Sequence, residues 1–169
     1  MGSGKTTIGN LLAKKLNRSF TDVDEFIETR YQQTITEIFE EKGEGGFREI
    51  ERQALNEISQ FENGIVSTGG GLPCFFDNMK LMNQTGITIY LKANVNVLVN
   101  RLNSVKQKRP LIKGKSLEEL QDFVDANLKK RESFYNQAKF IVDVPDSLKK
   151  KEMNRWIDKL MTLIALPTF

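Results

Sequence analysis

Gly2-Ser3-Gly4-Lys5-Thr6-Thr7 reads as the second half of G-x-x-x-x-G-K-[ST], a loop whose successive backbone N–H groups wrap a polyphosphate. In that reading Lys5 neutralises the phosphates, Thr6 offers a hydroxyl to their Mg²⁺, and a helix opening near Lys5 adds the positive end of its dipole. Gly2, Ser3, Gly4 and Thr7 complete the nucleotide-binding set. A glycine-rich turn carrying an ordinary lysine is the plain alternative. Such a loop normally follows a buried β-strand that aims it. Here Met1 stands where a loop residue is expected, so the strand and the first glycine of the motif have no counterpart. A late start, a truncation and a fold without a central strand all remain open. An inner strand of a parallel sheet buried on both faces is hard to lose, which favours the first two.

At 169 residues the chain is the size of one domain, long enough for a core of its own. Lys and Arg number 25 against 22 Asp and Glu, interleaved along the chain, so the basic balance is no nucleic-acid footprint. The densest basic run, Lys149-Lys150-Lys151, reads as a solvated helix start. The single cysteine, Cys74, excludes an internal disulfide framework and suits a reducing compartment. No signal or transit peptide and no membrane-length apolar run is present in these residues, so a cytoplasmic setting is expected. The absence of histidine excludes Ser-His-Asp and Cys-His catalysis and histidine metal ligation.

Beyond the loop, helical and strand periodicities alternate. Ile8, Leu11, Leu12 and Leu16 share a helical face with a stop at Asn17; a strand follows at 20–22, then a helix through Phe26, Ile27 and Tyr31. Thr34-Ile35-Thr36-Glu37 is a capping box for a short helix closed at Gly43, and Phe47, Ile50, Ala54, Leu55, Ile58 and Phe61 stripe the next one. Residues 64–67 read as a buried strand running into Gly69-Gly70-Gly71. A helix at 76–82, a strand at 87–91 and a helix through Val95, Leu98, Val99 and Leu102 follow. A polar loop at 104–115 carries Arg109-Pro110. Ser116-Leu117-Glu118-Glu119 opens another capped helix, to about 135, before a strand at 140–142 and a last helix at 148–163. The alternation implies a three-layer α/β/α domain on a parallel sheet, whose ligands gather at the carboxyl ends of the strands.

Each chemical feature has a plainer reading beside it. Asp22 and Asp24, two apart, point the same way if the segment is extended and can then serve metal and substrate together; otherwise Asp24 caps a helix starting at Glu25. Gly69-Gly70-Gly71 offers unhindered N–H groups to a substrate or is a flexible loop. Arg109 can close over a nucleotide and stabilise a transferring phosphoryl group, or is simply solvated. Arg48 and Arg131 flank apolar stripes, where salt bridges are the default.

Together, GSGKTT, DVD, GFRE, STGGG, RPL and KRESFY, in this order, resemble the shikimate kinase family across nearly the whole chain. The resemblance implies a nucleoside-monophosphate-kinase-like P-loop fold with a five-stranded parallel sheet, the first strand having no counterpart here. It implies one kinase domain over 1–169, a helical substrate-binding segment at about 24–61 and a lid at about 105–116. It further implies ATP-dependent phosphorylation of the shikimate 3-hydroxyl, with Mg²⁺, on the route to chorismate and aromatic amino acids, by a monomer needing no nucleic acid or membrane. Lys5 falls at the P-loop lysine, Thr6 at the Mg²⁺-binding hydroxyl and Asp22 at the acidic Mg²⁺ residue. Asp24 falls at the residue that grips the ring hydroxyls and serves as base. Arg48 and Arg131 fall at the two carboxylate-binding arginines, Gly69, Gly70 and Gly71 at the substrate-contacting triplet, and Ser67 near Mg²⁺. Arg109 falls at the lid arginine and Arg101 at an arginine that stacks on adenine.

Arg131-Glu132-Ser133-Phe134-Tyr135 departs from the family's R-x-P-L-Y while keeping the arginine. Two rival readings stand beside this one. Another small-molecule P-loop kinase, for gluconate or a nucleoside monophosphate, would not need Arg48 and Arg131 as a carboxylate clamp. A non-catalytic nucleotide-binding protein would bind ATP without acceptor-dependent turnover.

Overall fold

In a computed structural model, which describes residues 2–105, 112, 114–146 and 150–165, the chain divides into two compact units. One is Lys5–Ile87; the other joins Met1–Gly4 to Thr88–Phe169. The expected alternation of strands and helices is present, and the described strands form two two-stranded parallel sheets, one in each unit.

The Lys5–Ile87 unit runs α1 (Lys5–Leu16), β1 (Ser19–Asp22), α2 (Val23–Tyr31), α3 (Ile35–Ile58), β2 (Gly64–Ser67), a 3₁₀ turn (Leu72–Cys74) and α4 (Asn78–Thr85). Ile8 and Leu12 bury the expected face of α1, which packs on β1 and β2, and Asn17 ends the helix in the left-handed region at φ 51°. Gly9 allows this approach, because a Cβ there would lie 2.5 Å from the Phe20 ring. β1 and β2 pair in the register Ser19 with Gly64 through Asp22 with Ser67. The register sets the carboxyl ends of both strands side by side.

α3 is where the sequence reading of two helices meets one bent element. Its Thr34/Glu37 capping box is formed at the N-terminus, and Gly43 breaks the helical path at φ 67°, ψ −177°. In a straight helix Phe39 and Phe47 would be separated by about 12 Å along the axis. The bend brings their ring centroids to 4.3 Å. Val23, Ile27, Ile38, Phe47, Ile50 and Leu55 form the core of this unit with Leu72. The helix expected at 76–82 starts later, at Asn78, because Phe76 takes a left-handed backbone at φ 51°, which a right-handed helix does not admit.

The second unit runs β3 (Ile89–Lys92), α5 (Val95–Val105), α6 (Leu117–Tyr135), β4 (Phe140–Asp143) and α7 (Lys150–Ala165). β3 and β4 pair from Ile89 with Phe140 to Lys92 with Asp143, so the strand expected at 87–91 is displaced by this register. The Ser116/Glu119 capping box opens α6 as read. Leu98, Val99, Leu102, Ile112, Leu120 and Val124 make the core between α5 and α6. No described helix is long and apolar enough to cross a membrane.

Candidate functional site

The glycines of the phosphate-loop segment and the helix start that follows them are shaped by different constraints. Gly2 and Gly4 adopt φ of 76° and 91°, left-handed values that cost a side chain dearly and glycine little. A Cβ at Gly2 would also lie 3.3 Å from the Leu102 side chain. Arg101, on α5, holds this turn from outside: Nη1 donates to the carbonyls of Gly2 (3.3 Å) and Ser3 (3.5 Å), and Nη2 to those of Pro145 (3.3 Å) and Asp146 (3.5 Å). The arginine assigned to adenine by resemblance thus has its N–H edge occupied by backbone carbonyls. Lys5 opens α1, with Thr6 and Thr7 in its first turn.

Thr6 Oγ1 donates to Asp22 Oδ2 at 3.0 Å, joining the start of α1 to the end of β1. The other carboxylate oxygen, Oδ1, accepts the Asp24 backbone N–H at 3.2 Å, so Asp22 is the N-cap of α2. This corrects the extended-segment reading of Asp22 and Asp24: the strand ends at Asp22, and Asp24 already lies in the first helical turn. The cap that Asp22 provides is what turns the chain. Ser67, 5% exposed, is Asp22's partner in the parallel register.

Asp24, Glu51 and Arg48 converge on the glycine triplet. A Cβ on Gly69 would lie 3.1 Å from Asp24 Oδ1 and 3.2 Å from Glu51 Oε1; one on Gly71 would lie 2.7 Å from Arg48 Nη1. Neither glycine needs a left-handed backbone, so what glycine supplies at these positions is space for the Asp24, Glu51 and Arg48 side chains. Arg48 is fixed by ion pairs along α3, from Nη1 to Glu51 at 2.5 Å and from Nη2 to Glu44 at 3.0 Å. Glu51 is 2% exposed, and its pairing with Arg48 is what makes a carboxylate tolerable at that depth. Arg48 Nε is buried with no hydrogen-bond partner among the described residues. Aromatic rings surround the guanidinium, with centroids 4.2 Å (Phe75), 5.3 Å (Phe47) and 5.8 Å (Phe39) from Cζ.

The Lys5–Ile87 unit therefore brings together Thr6, Asp22, Asp24, Arg48, Ser67, Gly69 and Gly71 of the expected residues, with Gly70 between the last two. Gly2, Ser3, Gly4, Arg101 and Arg131 belong to the other unit, Arg131 half-buried on α6. Arg109 lies outside the described residues, as do 106–111 and 113 of the expected lid. Glu51 and Phe75 were not singled out from the sequence. Glu51 had a signal, the i,i+3 spacing from Arg48 that puts both on one helix face; Phe75 had none.

Comparison with known proteins gives one family. The family model described as shikimate kinase matches residues 1–161. The shikimate kinase of Azobacteroides pseudotrichonymphae genomovar. CFP2 is 54% identical over 165 residues, covering 97% of this chain and 95% of that one. The one from Bacteroides thetaiotaomicron is 46% identical over 166 residues, covering 98% and 95%. A crystal structure of shikimate kinase from B. thetaiotaomicron superposes with a TM-score of 0.94 at 47% identity, covering 98% of this chain and 94% of that one. Shikimate kinase from Acinetobacter baumannii, solved in complex with shikimate, does so at 0.85 and 33% identity, covering 99% and 91%. The architecture is thus the α/β fold of the shikimate kinases.

Proposed function

The chain belongs to the shikimate kinase family, whose members are ATP-dependent transferases acting on shikimate, and from that premise we propose that it phosphorylates the shikimate 3-hydroxyl. The observation that carries the reading is the constellation at the glycine triplet. Asp24 can accept from a hydroxyl, while the Arg48 guanidinium, whose Nη atoms lie against Gly71, carries the charge that can receive a carboxylate. A polyhydroxylated carboxylate matches both ends. The relatives and solved structures above carry the shikimate kinase name, which favours this acceptor over gluconate or a nucleoside monophosphate.

In the proposed reaction an oxygen–phosphorus bond forms to the 3-hydroxyl as the bond to the β-phosphate oxygen breaks, leaving ADP. Catalysis of this kind is mostly positioning and charge balance. Asp24 orients the hydroxyl and takes its proton. Arg48 and Arg131 hold the shikimate carboxylate, and Gly69, Gly70 and Gly71 let the ring approach the backbone. Gly2, Ser3, Gly4, Thr7 and Arg101 serve the nucleotide, and Lys5 and Arg109 oppose the charge that develops on the transferring group. The oxygens of Thr6 and Asp22 are hard donors suited to Mg²⁺, which takes one or two protein oxygens beside substrate phosphates. When bound, that ion neutralises phosphate charge. The reading places a single kinase domain in the cytoplasm as a monomer, acting without nucleic acid or membrane.

The test is ADP release with Mg·ATP, with and without shikimate, in a coupled assay. Release that depends on shikimate is expected, and Asp24→Asn is expected to abolish it while leaving nucleotide affinity within about threefold. ATP binding without shikimate-dependent release would favour the non-catalytic reading, and near-normal kcat in Asp24→Asn would sink the role given to Asp24.

A further inference from the structure

We infer that Phe75 is a positioning residue for substrate binding, its ring fixing the Arg48 guanidinium in the orientation that receives the substrate carboxylate; this rests on the function proposed above. Three observations converge on it.

The first is the contact itself. Of the three rings near Arg48 among the described residues, that of Phe75 is nearest, 4.2 Å from Cζ, within the range where the negative face of an aromatic attracts a cation. The Arg48 side chain is only 11% exposed, so little water screens this attraction.

The second is that the segment carrying Phe75 is locked on both sides. Arg52 lies one turn beyond Arg48 on α3. Its Nη2 pairs with Asp77 at 2.6 Å, and its Nη1 donates to Asn78 Oδ1 at 2.7 Å. Asn78, 1% exposed, donates in turn to the Leu72 carbonyl at 2.8 Å. The same helix therefore ties down the two ends of the 72–78 turn through Arg52 and meets its middle through Arg48.

The third is the backbone at the next residue. Phe76 sits at φ 51°, left-handed and unusual for a bulky side chain. It is 56% exposed, whereas Phe75 beside it is half-buried against the guanidinium. A large apolar residue held outward in an unfavourable conformation shows that the turn is dictated by its neighbours. What the turn delivers is the Phe75 ring.

Electrostatics explain why such a device is useful. Glu51 and Glu44 already pair with Arg48 and pull the guanidinium along α3. A ring contact adds attraction without adding negative charge, so it positions the cation without repelling an entering carboxylate.

Phe75→Leu keeps apolar bulk and removes the π face. The shikimate KM and the shikimate dissociation constant measured by calorimetry are expected to rise about fivefold to thirtyfold, with kcat and the ATP KM within twofold. Phe75→Tyr, which keeps the face, is expected to stay within about threefold of the wild type. Shikimate methyl ester, which lacks the carboxylate charge, is expected to bind both forms equally weakly. If Phe75→Leu does not fold, pentafluorophenylalanine placed at this position decides, since it keeps the shape and reverses the ring quadrupole; the same rise is expected. Shikimate affinity within twofold of the wild type in Phe75→Leu or in the pentafluorophenylalanine form overturns the inference, as does an equal loss for acid and ester. A wild-type chain that binds no shikimate overturns the function proposal, and this inference with it.

Discussion

Replacing Gly71 by alanine separates folding from substrate recognition. Gly71 has φ −83° and ψ −34°, a conformation any L-residue adopts, so the backbone gives no objection. By restricting the unfolded chain the change contributes about 0.4–1 kcal/mol of stability. The obstacle is Arg48. The new methyl would lie 2.7 Å from Nη1, 3.0 Å from Nη2 and 3.1 Å from Cζ, and ordinary contact begins near 3.4 Å, so the guanidinium has to retreat by about 0.7 Å (3.4 less 2.7). Its surroundings resist, with Glu51 at 2.5 Å and the Phe75 ring at 4.2 Å. Weakening the ion pair to Glu51 costs at most the about 1.5–3 kcal/mol of a charged hydrogen bond. Stability therefore falls by about 0.5–2.5 kcal/mol, or about 1–10 °C in Tm for a chain of this size.

Recognition suffers more. A displacement approaching 1 Å in a positioning group costs on the order of a hundredfold in rate, about 2.7 kcal/mol. Gly71→Ala is thus expected to be folded, to bind ATP normally, and to lose about a hundredfold in kcat/KM for shikimate, mostly through KM. The assay is coupled ADP release with shikimate titrated at saturating Mg·ATP, beside a thermal melt. A kcat/KM within about threefold of the wild type would refute the reasoning, because the displacement would then be harmless. A loss of ATP binding would refute it differently, by placing the damage in the fold.

Gly43→Ala probes the bend in α3: no atom lies within 4 Å of the added methyl, so the cost is that of the backbone conformation alone, about 1–3 kcal/mol, read as a Tm drop of about 2–12 °C. An unchanged Tm would mean that the bend is not imposed at that residue. Glu119 accepts from the Ser116 backbone N–H and side chain, which lowers its pKa below the ordinary 4.5, and Glu37 is held down in the same way by Thr34. A depressed carboxylate contributes stability that is present above the unfolded value and is lost as pH falls through the folded one. Urea melts from pH 6 to pH 3 are expected to show falling stability below about pH 4.5, with a shallower slope in Glu37→Gln/Glu119→Gln; an identical slope would contradict the assignment.

What was legible in the sequence was whatever depends on near neighbours. The capping boxes at Thr34 and Ser116 were readable because N-cap and N3 are three residues apart and satisfy each other's backbone groups. Gly43 was readable as an interruption for the same local reason. The Asp22/Asp24 spacing misleads by one step, since it fixes a common face only while the strand continues. Nothing within that tripeptide says that the Asp22 carboxylate will accept the Asp24 N–H and start a helix there.

The glycine triplet shows the deeper limit. As sequence, three glycines suggest conformational freedom, and a flexible loop was a fair alternative. In the folded chain Gly69 and Gly71 take backbone conformations open to other residues; their missing side chains matter because Asp24, Glu51 and Arg48 occupy the space. Those side chains come from α2 and α3, distant in sequence, and the same holds for Phe75 over Arg48. A site built by exclusion, where one element leaves the room that another fills, writes no periodicity into either stretch. Arg48 could be placed by its motif, but what holds its guanidinium became visible only when the 72–78 turn and α3 were seen to share two arginines one helical turn apart.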